Sequence, residues 1–98
     1  MIEGTIEYKD GTFLAFHEGT GDNLLYEDRE EGYVDYIYYD IYASFENYIA
    51  DPYDNIDDGG MVLTREYVQD LSNDEIIARI LGMESVSPDY VETVNINR

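Results

Sequence analysis

Tyr33-Val34-Asp35-Tyr36-Ile37-Tyr38-Tyr39-Asp40-Ile41-Tyr42 is the stretch that decides the fold. Eight of its ten residues are Val, Ile or Tyr, side chains that fill a pleated, half-buried surface. Read with a period of two, one face carries Tyr33, Asp35, Ile37, Tyr39 and Ile41, and the other carries Val34, Tyr36, Tyr38, Asp40 and Tyr42. The first face has more aliphatic mass and is expected to meet the core.

The flanks supply partners for this strand. Residues 2–8 alternate Ile2, Gly4, Ile6 and Tyr8 with Glu3, Thr5 and Glu7. Asp10-Gly11 is a tight-turn pair, and residues 12–16 read as the returning strand. Residues 18–23 contain two glycines and read as a loop. Leu24, Leu25 and Tyr26 suggest a short third strand, followed by the charged turn 27–32. Ser44 is placed to cap a short helix through Ala50, stopped by Asp51-Pro52. Residues 51–60 read as an acidic loop closed by Gly59-Gly60. Met61 to Thr64 starts another strand, and residues 65–69 either extend it or turn helical.

Ser72 opens the best-specified helix, residues 72–82. Ser72 and Glu75 have capping-box spacing, and Leu71 and Ile76 are spaced as a hydrophobic staple. Ile76, Ile77, Ile80 and Leu81 form one apolar stripe. Gly82 reads as the stop, with Arg79 at the negative helix end. After Pro88, residues 90–96 alternate weakly and suggest a last strand. The expectation is a single α+β domain over residues 1–98, an antiparallel sheet with one main helix packed on it.

Charge bounds the function. The 98 residues hold 23 Asp and Glu against 5 Lys and Arg, a formal net charge of −18. Residues 18–58 carry 13 acidic side chains and one arginine, a net charge of −12. Nucleic acid and anionic membranes repel such a chain, so its expected partner is a basic protein surface. Ile, Asn and Tyr number 10, 6 and 11. Their codons are AT-rich, as are those of Lys, yet only Lys9 is present, which points to selection against lysine in the protein itself. With 44% hydrophobic and 14% aromatic residues, disorder is not expected.

The motifs argue against catalysis. The chain has no cysteine, which excludes disulfides, thiolate metal sites and a cysteine nucleophile. His17 is the only histidine and lacks a nucleophile beside it in sequence. Ser44 and Ser72 have capping roles. Against the EF-hand pattern, a loop starting at Asp54 puts Ile56 where an oxygen ligand belongs and Arg65 where Glu belongs. The simpler reading of residues 51–60 is a solvated acidic turn, so no metal or cofactor is expected. No apolar run reaches ~18 residues, and the start of the chain lacks a signal-peptide pattern. A cytoplasmic, non-enzymatic protein is expected.

Small size, high acidity, absence of cysteine, abundant tyrosine and depleted lysine together resemble the acidic anti-defence proteins of phages and conjugative elements, the anti-restriction and anti-CRISPR type. That resemblance implies a DNA mimic that occludes the basic groove of a restriction or CRISPR effector. Alternate carboxylates on a strand lie roughly 6.6–6.8 Å apart, a spacing on the scale of DNA phosphates. The expected contact residues are Glu27, Asp28, Glu30, Glu31, Asp35, Tyr36, Tyr38, Asp40, Asp51, Asp54, Asp57 and Asp58, with the loops 27–31 and 51–58 flanking the tyrosine-rich strand. The alternative is an interaction module, an accessory protein of a mobile element that binds a basic partner without blocking DNA.

Overall fold

The computed structural model describes residues 1–22, 33–63 and 66–98. In chain order the elements are β1 (Glu3–Tyr8), β2 (Phe13–Asp22), β3 (Tyr33–Tyr42), α1 (Phe45–Ala50), β4 (Asp57–Leu63), a 3-10 turn (Val68–Asp70), α2 (Asn73–Glu84), a second 3-10 turn (Pro88–Tyr90) and β5 (Val91–Asn97). The five strands form one antiparallel sheet in the order β4-β3-β2-β1-β5. The expected α+β architecture is therefore the observed one.

Alternation in β3 sorts the two faces as its aliphatic mass dictates. Ile37, Tyr39 and Ile41 are buried with Ile6, Leu14 and Phe16 from the neighbouring strands. Ile76, Ile80 and Leu81 of α2 close this core from above, together with Val68 and Leu71, while Ile77 is half-buried at its margin. Both halves of the capping box form: Glu75 N donates to Ser72 Oγ at 3.1 Å, and Ser72 N donates to Glu75 Oε1 at 3.0 Å. The β1–β2 turn is also as its sequence suggests. Gly11 takes φ +92°, Tyr8 N donates to Thr12 O at 2.9 Å, and Thr12 N donates to Asp10 Oδ1 at 2.9 Å.

Three boundaries differ from the sequence reading. Residues 18–22 are strand, not loop: they pair with residues 33–37, and the period of two runs on through Gly19 and Gly21. Residues 57–60 are also strand, paired with residues 38–41. Without them the outer edge of β3 would leave backbone N–H and C=O groups unpaired. Finally, α2 continues past Gly82 to Glu84, and the left-handed residue is Ser85, φ 56°. Val86 N donates to Leu81 O and Ser85 N to Gly82 O, the two bonds of a Schellman motif. Val86 packs on the core there, so burial of an apolar side chain sets the helix end. Arg79 is consequently not in the last turn; it forms a two-point ion pair with Glu66, both contacts 2.8 Å.

The undecided segment before α2 turns helical at residues 68–70, and the last strand forms at Val91–Asn97. The expected strand at 24–26 and turn at 27–32 lie outside the described residues, as does the end of the strand expected at 61–64. Among the described residues no helix is long and apolar enough to cross a membrane.

Candidate functional site

Among the described residues, α1 covers one end of the sheet face opposite α2, and Val34 is buried toward the other end. Ser44 Oγ accepts from Asn47 N at 3.1 Å and starts α1. This short helix sets Phe45 against Phe13 and Tyr48 against both Phe13 and Tyr42, with ring centroids 5.0–5.3 Å apart. Phe13 and Tyr42 are thereby buried outside the main core. Burial is also the main cause that raises the pKa of the Tyr42 hydroxyl, aided by the negative charge of Asp40.

Beyond α1 the face opens onto an aromatic ladder. Tyr36 and Tyr38 stack with centroids 5.3 Å apart and planes 9° from parallel. His17 continues the row 5.6 Å from Tyr38. The rings lean across the diagonal glycines of β2: a Cβ on Gly21 would lie 2.4 Å from Tyr36 Cε2, and one on Gly19 would lie 2.6 Å from Tyr38 Cε2. Glycine inside a strand commonly marks such a close approach. The ladder lines a shallow groove of about 640 Å³ with Asp40, Asp58, Gly60 and Val62. A second groove of about 540 Å³ continues across the same face past Glu3, Ala15 and Tyr48, and shares His17 and Asp40 with the first.

Asp40 and Asp58 sit directly opposite each other on β3 and β4. Like charges in that relation repel. The Asn55 side-chain amide donates to Asp40 Oδ1 at 3.3 Å and to the Asp57 carbonyl at 3.1 Å, tying the pair into the β4 approach. Glu3 and Glu7 on β1 pair with Asn97 and Thr93 of β5 and with His17 and Phe13 of β2, which puts them on the same face. Among the described residues this face carries neither Lys nor Arg.

The structure thus brings together Tyr36, Tyr38, Asp40 and Asp58 from the expected contact set. Asp51 and Asp54 lie beyond the same end of the sheet, in the turn after α1. There Asp51 Oδ1 accepts from Tyr53 N at 3.0 Å, and Asp54 N donates to Asp51 O at 3.0 Å. Asp35 and Asp57 are on the α2 side of the sheet, opposite Leu63 and Ile41. Asp35 accepts from Val68 N at 2.9 Å and so positions the first 3-10 turn. Glu27, Asp28, Glu30 and Glu31 lie outside the described residues. His17, Gly19, Gly21, Glu3 and Glu7 complete the face and were not among the expected contacts. The signal for the glycines was their i, i+2 spacing in Glu18-Gly19-Thr20-Gly21-Asp22, which continues the strand alternation of Thr12–Phe16.

Among the described residues no group of three or more His, Asp or Glu is placed to hold a metal ion. No protein-family model matches the chain, and no curated protein or solved structure is significantly similar to it. Flat aromatic surfaces beside carboxylates, with no Lys or Arg among the described residues of the face, suit guanidinium and ammonium groups.

Proposed function

We propose that the protein is a non-enzymatic inhibitor that sets its open sheet face into the basic nucleic-acid-binding groove of another protein, a restriction or CRISPR effector. The observation that carries this reading is the His17–Tyr38–Tyr36 ladder bordered by the Asp40–Asp58 pair. Carboxylates take the place of phosphates, and tyrosine rings offer stacking surfaces to the arginines that line such grooves. The overall charge of −18 would speed encounter with a basic partner and make binding strongly salt-sensitive.

The ladder itself favours a second reading. Tyrosine is enriched at interface hot spots, and a central aromatic row with charges at its rim also suits an interaction module that binds a basic protein without displacing DNA. Competition separates the two. DNA cleavage by a panel of restriction enzymes and CRISPR effectors is measured with increasing protein and with duplex DNA as competitor. DNA mimicry predicts inhibition that excess duplex overcomes and that weakens steeply with salt. Binding that leaves DNA access intact, or no inhibition of any effector, transfers the function to the interaction module.

A further inference from the structure

On the other side of the sheet a cavity of about 320 Å³ opens where three elements meet: the β1–β2 turn, the end of α2 and the second 3-10 turn. Its walls include Tyr8, Asp10, Ile41, Glu84, Val86 and Tyr90. The size is at the small end of ligand sites. Tyr8 is only 7% exposed, and its hydroxyl is buried with no hydrogen-bond partner among the described residues. A buried, unpaired hydroxyl is costly, and each such group in a folded protein calls for an explanation.

The charges around that hydroxyl share one sign. Glu84 accepts a hydrogen bond from Tyr39 through Oε2, and Oε1 has no partner among the described residues. Asp10 stands on the turn. The C-terminal end of α2 adds its negative dipole, and its last turn holds no basic residue. Among the described residues no lysine or arginine lines the cavity. The Tyr8 hydroxyl has its pKa raised, first by burial and then by the negative charges of Glu84 and Asp10. Ile41, Val86 and the rings of Tyr8 and Tyr90 supply apolar wall for a short alkyl chain.

We propose that this cavity binds a small alkylammonium ligand, whose N–H groups donate to the Tyr8 hydroxyl oxygen and to Glu84 Oε1. The ligand's charge answers that of Glu84 and Asp10, and its methylenes lie against Ile41 and Val86. The site lies on the opposite side of the sheet from the aromatic ladder and is independent of the proposed inhibitory role.

The test uses putrescine as probe and 1,4-bis(trimethylammonium)butane, a dication of the same charge without N–H donors, at equal ionic strength as control. Binding is read from backbone amide shifts of Tyr8, Asp10, Ser85 and Val86, and from the melting temperature. Putrescine is expected to shift these amides saturably and to raise the melting temperature more than the control. Tyr8→Phe keeps the ring and every charge and removes only the unpaired hydroxyl; it is expected to weaken putrescine about tenfold. Glu84→Gln removes the counter-charge and is expected to weaken it further. Equal binding by wild type and Tyr8→Phe, or equal responses to the two cations, would mean that only diffuse attraction to an acidic protein is present, and would overturn the proposal.

Discussion

Tyr38 leans its ring across Gly19, its diagonal neighbour on β2, so closely that a methyl group on Gly19 would come within 2.6 Å of Cε2. Tyr36 does the same over Gly21. The flat ladder on the open face therefore depends on two absent side chains. Replacing both glycines by alanine should swing the rings off the sheet. The steric cost is opposed by the roughly 0.5–1 kcal/mol that alanine gains over glycine within regular structure. Stability should thus change little. The Tyr36 and Tyr38 ring resonances should shift, and affinity for a basic partner should fall. Unmoved ring resonances in Gly19→Ala/Gly21→Ala would show that the glycines do not shape the ladder.

Ser72→Ala removes the Oγ acceptor of the Glu75 N–H at the start of α2 and leaves the bond from the Ser72 backbone N–H to Glu75 in place. The expected loss is about 1 kcal/mol, read as a lower denaturant midpoint at unchanged slope. An unchanged midpoint would mean that packing of Ile76 and Leu71 alone fixes this helix start.

Tyr8→Phe should stabilise the protein in the absence of ligand. The hydroxyl is buried and unpaired, so its removal should recover about 1 kcal/mol. Chemical denaturation of the two proteins side by side measures the difference. Lower stability of the variant would show that the hydroxyl is paired in solution.

Stability should fall toward both pH extremes. Thr12 holds Asp10, Arg79 holds Glu66, and the Ser72 backbone N–H holds Glu75 below the ordinary carboxylate range. A depressed folded pKa gives stability that is present above the unfolded value and is lost as pH falls through the folded one. At milder acidity, partial neutralisation of the −18 charge should relieve self-repulsion and raise the melting temperature first. On the alkaline side, burial raises the pKa of Tyr8, Tyr39 and Tyr42. Their contribution is present below the unfolded value, about 10, and is lost as pH climbs through the folded ones. Melting curves across pH, with tyrosinate absorbance, check both limbs. Ionisation of all tyrosines at their ordinary value in the folded protein would contradict the alkaline one.

Local features were the legible ones. The alternation of Tyr33–Tyr42, the Asp10-Gly11 turn and the Ser72–Glu75 capping box each act over a few residues, and each formed as read. Gly19, Gly21, Gly59 and Gly60 read as loop in the sequence because glycine breaks structure when judged alone. Their strand conformation comes from pairing with β3, a partner distant in sequence. Gly82 failed as a stop for a similar reason, since burial of Val86 beside Leu81 outweighs the local preference. In the candidate site, parity alone separated Asp35 from Tyr36, Tyr38 and Asp40. The meeting of Asp40 with Asp58, and of Tyr38 with His17, needed the register of three strands.

The claim that one face carries the activity is tested most directly by moving the same charge change between faces. Asp40→Lys/Asp58→Lys alters the open face. Asp70→Lys/Asp89→Lys alters exposed positions in the two 3-10 turns and has the same net charge. Inhibition of a DNA-binding effector is measured for both at fixed salt. The account predicts that the open-face double loses about tenfold or more in potency, worth ~1.4 kcal/mol, while the other double stays close to wild type. Equal losses in the two would show that bulk charge, and not the Tyr36–Tyr38 face, does the work.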